Sequence, residues 1–447
     1  MKTILYILLF TFGISTVDAQ INPLKQSQSL TLKECLDLAI KHSPALRINT
    51  LEQVKLGYRY KESMGAGLPH LNMSGSFDDF VSLPTSLIPG EFFGRPGEMI
   101  PVQFGTTYNI AGGLDLSQVI YNQSWLVSLR MVKIAIEQNS LESERSKIDL
   151  IFNVAQSYYY AQISLQQMLN RKANLVNIEK LEKINQSQYR NGFIKKVDVD
   201  RVTVNKLNLL TEIDRLRVTY EQQVNMLLYF TGLDMTQELQ FSDSIQSVEV
   251  VPQVKQSLDD HIDIRMIGKQ KQMAFANVGL NQAAYYPSLN LIGAFNYTNQ
   301  SNTMYLLGKP GYWFNTGLIG LRLQVPIFNG LQNSNRVKQS RIMIDQLAVN
   351  EENTRKVLGF QSKDATNRLL NSIQDELRQR ENMGLAERVY NVSQEQYQKG
   401  ISTLTDLLDA ESGLSAAQTY HSLALVQMKI AELEYRKANG TLLEIIG

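Results

Sequence analysis

Long apolar runs are almost missing from this 447-residue chain. The one that exists stands at the start, from Ile4 to Val17 behind Lys2, and Val17-Asp18-Ala19 places small residues where a signal peptidase reads. Residues 1–19 are therefore expected to be a signal peptide, and the mature, exported chain to begin at Gln20. No later stretch offers the ~18 apolar residues that a membrane helix needs. Any membrane span must then be built from strands, because only closed barrels and helices satisfy every backbone polar group in lipid. Cysteine is nearly absent too. Cys35 alone excludes an intrachain disulfide, lies too far past the cleavage site to be an acylated first residue, and is read as a buried core side chain. A formal net charge of +1 lacks the basic field that a nucleic-acid partner requires. His42, His70, His261 and His421 show no HExxH or other ligand spacing, and no GxSxG, Walker loop or GxGxxG is present. The chain is read as no enzyme, with no metal and no cofactor.

Proline is scarce where helix would need it to be. None occurs between Pro101 and Pro252 or after Pro326, whereas Pro69 to Pro101 and Pro287 to Pro326 hold clusters. Helix interiors exclude proline, which lacks an N–H and clashes with the preceding turn. From about 124 to 188 there is neither Gly nor Pro, and Ile148, Ile151, Phe152, Ala155, Tyr158, Tyr159 and Ile163 recur at spacings of three and four. Such a run makes a rod roughly 100 Å long. A second tract of similar length follows from about 331 to 397, broken only by Gly359 and Gly384. Tyr158, Tyr159 and Tyr160 are read as packing between helices, since only one or two can face the same way.

What is present is a repeat. YRNGFIKKVDVDR (189–201) and YQKGISTLTDLLDA (397–410) align at a constant offset of 208, matching Tyr189 with Tyr397, Gly192 with Gly400 and Asp198 with Asp406. Each turn is followed by a shorter helix, so each unit is a helical hairpin with YxxG at its bend. LPHLNMSGSF (68–77) and YPSLNLIGAF (286–295) align at an offset of 218, and both alternate with the period of a strand. Each is succeeded by a second alternating run: Tyr108, Ile110, Gly112, Leu114 and Leu116, then Ile319, Leu321, Leu323 and Val325 with Arg322 and Gln324 on the other face. Runs of about ten residues suit tilted outer-membrane strands, apolar outward and polar inward. The expected division is 20–257 for the first repeat (strands about 68–80 and 106–120, hairpin about 124–230, equatorial segment 231–257). The second is 258–447 (strands about 286–299 and 313–327, hairpin about 331–438, equatorial segment 439–447). Four strands cannot enclose a lumen by themselves, so either several chains share one barrel or the strands pack on something else.

SLTLKECLDLAIKHSPALR (29–47), the LPxL and YPSL strands, the VIYN (119–122) and PIFN (326–329) junctions and the two YxxG turns together resemble the TolC-like outer-membrane efflux proteins of Gram-negative bacteria. The resemblance covers nearly the whole mature chain in the family's order. It implies a mixed α and β fold in which a homotrimer gives four strands per chain to a twelve-stranded outer-membrane β-barrel continuous with a periplasmic α-helical barrel. It implies an exit duct for a tripartite efflux or type I secretion assembly, with outer-membrane lipid, a periplasmic adaptor and an inner-membrane pump as partners. Residues 83–104 would form an extracellular loop. The turns become periplasmic tips, with Tyr189, Gly192, Phe193, Tyr397, Gly400 and Ile401 as docking residues and Asp406, Asp409 and Asp198 at a pore constriction. Three copies would crowd like charges there, which disfavours full ionisation. Asp198 and Asp406 also suit helix starts, and Lys195, Lys196 and Arg201 stand near enough in sequence to pair with the acids. The alternative function is a periplasmic coiled-coil scaffold or adaptor that crosses no membrane, which the four alternating strands argue against.

Overall fold

The computed structural model describes residues 28–243, 245, 258–304 and 313–446. The expected signal peptide, the start at Gln20 and part of each equatorial segment lie outside them. Two helices dominate: α3 (Gln123–Arg190) and α6 (Gln332–Gln398), of 68 and 67 residues. Each carries two shorter helices laid along it in succession. Along its first half α3 meets α2 (Pro44–Gly65), antiparallel, with Asn139 Nδ2 donating to Gln53 Oε1 at 2.8 Å and Trp125 Nε1 to the Ser63 carbonyl at 2.7 Å. Along its second half it meets α4 (Lys196–Thr231), where Lys206 reaches Glu182 at 2.6 Å.

The second unit repeats the plan. Helix α5 (Ile262–Ala283) bridges α3 and α6, through Lys269 to Glu137 at 2.7 Å and Lys271 to Glu351 at 2.6 Å. Helix α7 (Leu404–Ala438) then packs along α6 and against α3. Sequence reading gave no separate place to α2 or α5, nor to the short α1 (Leu32–His42). Helix α1 is amphipathic but short, whereas the apolar residues of α2 and α5 are spread around the helix, so both are identified by what they cover rather than by a strong stripe.

The largest apolar core sits halfway along α3. Ile151, Val154, Ala155 and Tyr158 pack there against Cys35, Leu36 and Ala39 of α1, Leu227 and Leu228 of α4, and Leu442 from the C-terminal 3-10 turn. A parallel pair, β1 (Gln28–Leu30) with β6 (Leu239–Phe241), closes this belt. Tyr158 is buried in it, edge-on to Phe241, and donates its hydroxyl to the Leu30 carbonyl at 3.1 Å. Burial pushes the Cys35 thiol up to about 12, so it is inert as a nucleophile.

At one end of the rods lies an open antiparallel sheet in the order β2 (His70–Asp79), β5 (Tyr108–Asn122), β7 (Ser288–Ser301), β8 (Trp313–Gln324). Its register lines up the two classes of side chain. Leu71, Leu116, Gly293 and Ile319 form one cross-strand row, and Met73, Leu114, Phe295 and Gly317 the next. The rows between carry Asn72, Ser74, Asp115, Asn296 and Thr316 on the opposite face. The apolar face is bare, with Met73 83% and Ile319 80% exposed. Among the described residues both outer strands, β2 and β8, have a free edge.

Two details add to the sequence reading. Residues 83–104, expected as an extracellular loop, hold a hairpin of β3 (Thr85–Pro89) and β4 (Met99–Gln103) around a 3-10 turn. The VIYN and PIFN junctions also differ. Asn122 caps α3, accepting the Trp125 N–H at 3.1 Å, whereas β8 ends at Gln324 and α6 starts behind Leu331, at φ 66° with no side-chain cap.

Candidate periplasmic entrance

Both hairpin bends, at the far end of the rods from the sheet, stop their helices with the same hydrogen bonds. Phe193 N–H donates to the Gln188 carbonyl and Gly192 N–H to that of Tyr189, both at 2.9 Å; Ile401 to Gln396 and Gly400 to Tyr397 repeat them at 2.8 and 3.0 Å. This pair of bonds is a Schellman motif, and it places its glycine in the left-handed region. Gly192 has φ 76° and Gly400 φ 73°, with open space around both, so the demand for glycine there is conformational and not steric. Phe193 and Ile401 stand exposed just past the bends.

Beyond the bends the two copies diverge. Thr403 caps α7: its hydroxyl accepts the Asp406 N–H at 3.2 Å, while the Asp406 carboxylate accepts from Thr403 N–H at 2.9 Å and from its hydroxyl at 2.7 Å. Those bonds hold the Asp406 carboxyl below the usual carboxylate range, so within one chain the effect runs opposite to the expected like-charge crowding. Lys195, at the matching place, gives α4 no side-chain cap. Asp198 lies 3.8 Å from Arg201, which also donates to Thr405 Oγ1 at 3.0 Å and so ties α4 to α7. Asp409, Lys195 and Lys196 are exposed, and no ion pair joins them to one another among the described residues. The tyrosines differ as well. Tyr397 donates to Asn185 Oδ1 on α3 at 2.9 Å, whereas Tyr189 is 45% exposed. Asn185 is fully buried and its Nδ2 has no partner among the described residues.

Further up, a polar seam joins the two hairpins. Arg171 of α3 is buried; its Nε meets Glu212 of α4 at 2.9 Å, and its guanidinium also donates to the Ser415 carbonyl at 2.9 Å and to the hydroxyls of Ser415 and Thr419 on α7. One turn nearer the bend, the Glu411 carboxylate accepts from Asn205 at 3.4 Å. Burial raises its pKa against the opposing pull of Arg171, with Glu212 adding to the rise. Neither Arg171, Asn185, Thr403 nor Glu411 was singled out from the sequence. Each differs from its mate 208 positions away, but so do most aligned pairs, and no sequence signal separates these four from the rest.

A family model described as outer membrane efflux protein matches residues 241–441. The cation efflux system protein CusC of Escherichia coli (strain K12) is 23% identical over 397 residues, covering 87% of this chain and 81% of that protein. The outer membrane protein TolC of Vibrio cholerae is 25% identical over 350 residues, covering 75% and 77%. By these comparisons the chain is similar to outer membrane efflux proteins, over the second half by the family model and over most of its length by the relatives. The fold agrees with that likeness. It superposes on the Campylobacter jejuni CmeC outer membrane channel with a TM-score of 0.75 at 18% identity, covering 98% of this chain and 94% of that one. A CusC crystal structure gives 0.71 at 20% identity, with 94% and 95% covered. Function and place go with that likeness: the chain is an outer-membrane transport protein of a Gram-negative cell envelope.

Proposed function

We propose that three copies form the exit duct of a tripartite export assembly, carrying substrate passively from a periplasmic adaptor and an inner-membrane pump to the exterior. One observation carries this reading: a four-stranded sheet, apolar on one face and polar on the other, with both edges open, attached to rods about 100 Å long. Open edges in lipid cost several kcal/mol per unpaired group. Joining β8 of each copy to β2 of the next removes them and puts the polar rows around a lumen. A periplasmic scaffold gains nothing from a bare apolar sheet face.

The two bends form the pump-side entrance. Phe193 and Ile401, held out by identical Schellman turns, are the apolar contacts offered to an adaptor, and Tyr189, Gly192, Tyr397 and Gly400 set their position. Asp406 and Asp409, exposed in the first turns of α7, with Asp198 beside them, make the narrowest ring acidic, which favours cations and repels anions.

Chemical crosslinking of detergent-extracted protein tests the assembly. A ladder ending at three, with a strand signal in circular dichroism, is expected; a stable monomer would overturn the duct.

A further inference from the structure

Next to the bends, α3, α6 and α7 of one chain enclose a cleft of about 410 Å³. A space of that size suits a small organic molecule. Its apolar lining comes from Leu181 of α3, Tyr390 and Tyr397 of α6, and Leu407 and Leu408 of α7. Into this lining the chain sets a single carboxylate, that of Glu411. Glu411 is only 8% exposed, and the one hydrogen bond it accepts among the described residues is the long one from Asn205 at 3.4 Å. Arg171 lies near enough to attract it but gives its bonds to Glu212, Ser415 and Thr419. The Tyr390 hydroxyl faces the same carboxylate and is hydrogen-bonded to Asn177. A buried carboxylate is costly unless it is paired, and most of the acceptor sites of Glu411 are open.

The lining narrows what can pair with it. A divalent metal ion takes about six oxygen ligands, whereas the cleft offers one carboxylate. A dication would meet the like charge of Lys180, which lines the same cleft from an exposed position and does not act on Glu411. A small inorganic cation would leave the leucine and tyrosine surfaces wet. An amine of single charge with an apolar body meets each condition, and tyrosine ring faces attract cations as well. We propose that this cleft binds a monovalent organic cation, its ammonium hydrogen-bonded to Glu411 and its apolar body held against Tyr390, Tyr397, Leu407 and Leu408. All of these residues belong to one chain, so the site goes beyond the duct reading and does not depend on it.

Equilibrium dialysis of 1-naphthylmethylamine against the full-length protein in nonionic detergent, with empty micelles as reference, tests the site near neutral pH. Saturable binding of one amine per chain is expected, about tenfold or more tighter than that of 1-naphthalenemethanol, which has the same shape and no charge. Glu411→Gln should remove that about tenfold advantage. Ile184→Trp, a change at a 51% exposed position lining the cleft, should weaken binding with the carboxylate intact. Equal binding of amine and alcohol, or affinity unchanged in both variants, overturns the proposal. So does affinity that is lost in Asp406→Asn with Asp409→Asn but kept in Glu411→Gln, which would place the amine on the acids of the bend. A crosslinking ladder that stops short of three would count against the duct and leave this result standing.

Discussion

Asp406 and Asp409 sit one helical turn apart and do different work. Asp406 completes the Thr403 cap, while Asp409 makes no bond that holds the helix start. Replacing both with asparagine keeps an acceptor for the Thr403 N–H and removes the formal charge. We expect lower cation selectivity and weaker block by multivalent cations in planar bilayers, with thermal stability nearly unchanged at neutral pH. The sign of the pH effect follows from the depressed Asp406 pKa. The native box contributes fully above the ordinary aspartate range and is lost as pH falls through the lowered value, so the native protein loses stability in acid that the variant does not. Glu411 works in the other direction. Its raised pKa means that its charge costs stability once the pH exceeds the folded value. Glu411→Gln should raise the melting temperature at pH 8, and the gain should vanish below the ordinary glutamate range, where the native side chain is also neutral. A gain independent of pH would mean that packing, and not charge, is responsible.

Elements in this protein are stopped and faced by single positions. Gly192 and Gly400 hold left-handed conformations that cost an L side chain roughly 1–2 kcal/mol each. Valine at either one should leave trimers in the membrane, because the belt core lies far up α3, yet reduce export by displacing Phe193 or Ile401. Undiminished export by correctly inserted trimers would remove the bends from the coupling surface. In the sheet the decisive property is parity. Met73 lies in an apolar row and Ser74 in a polar one, so Met73→Arg should cost about 2–4 kcal/mol at mid-membrane and Ser74→Arg little. Yield of heat-resistant trimers from outer membranes measures the difference; equal yields would place both faces in the same medium.

At the scale of the whole molecule, the proposed barrel closes only between chains. Residues Ile319 and Gly320 of β8 are neighbours, so one N–H points to β7 and the other to the open edge. Separate proline substitutions should therefore give two phenotypes. The variant lacking the edge-facing N–H keeps its four-stranded sheet but lowers the recovery of trimers. Equal damage to folding by both would show that β8 has no partner beyond β7.

Much of this architecture is written in periodicity. Proline-free tracts, period-two runs at 68–77 and 286–295 and the 208-residue offset of the YxxG turns specify rods, strands and duplicate bends, because each reflects a local steric rule that needs no distant partner. The Schellman glycines belong to that class. What only the tertiary structure decided is which copy of a repeated residue is bonded. Tyr397 finds Asn185 and Arg171 finds Ser415 and Thr419, while Tyr189 and Gln379, at equivalent places, find no such partner among the described residues. The same holds for α2 and α5, whose apolar positions form no single stripe and gain meaning from the long helices beside them. A local rule fixes a residue's backbone, but a hydrogen bond between helices some two hundred residues apart in sequence depends on which surfaces the fold brings together, and the repeat offers two candidates for each.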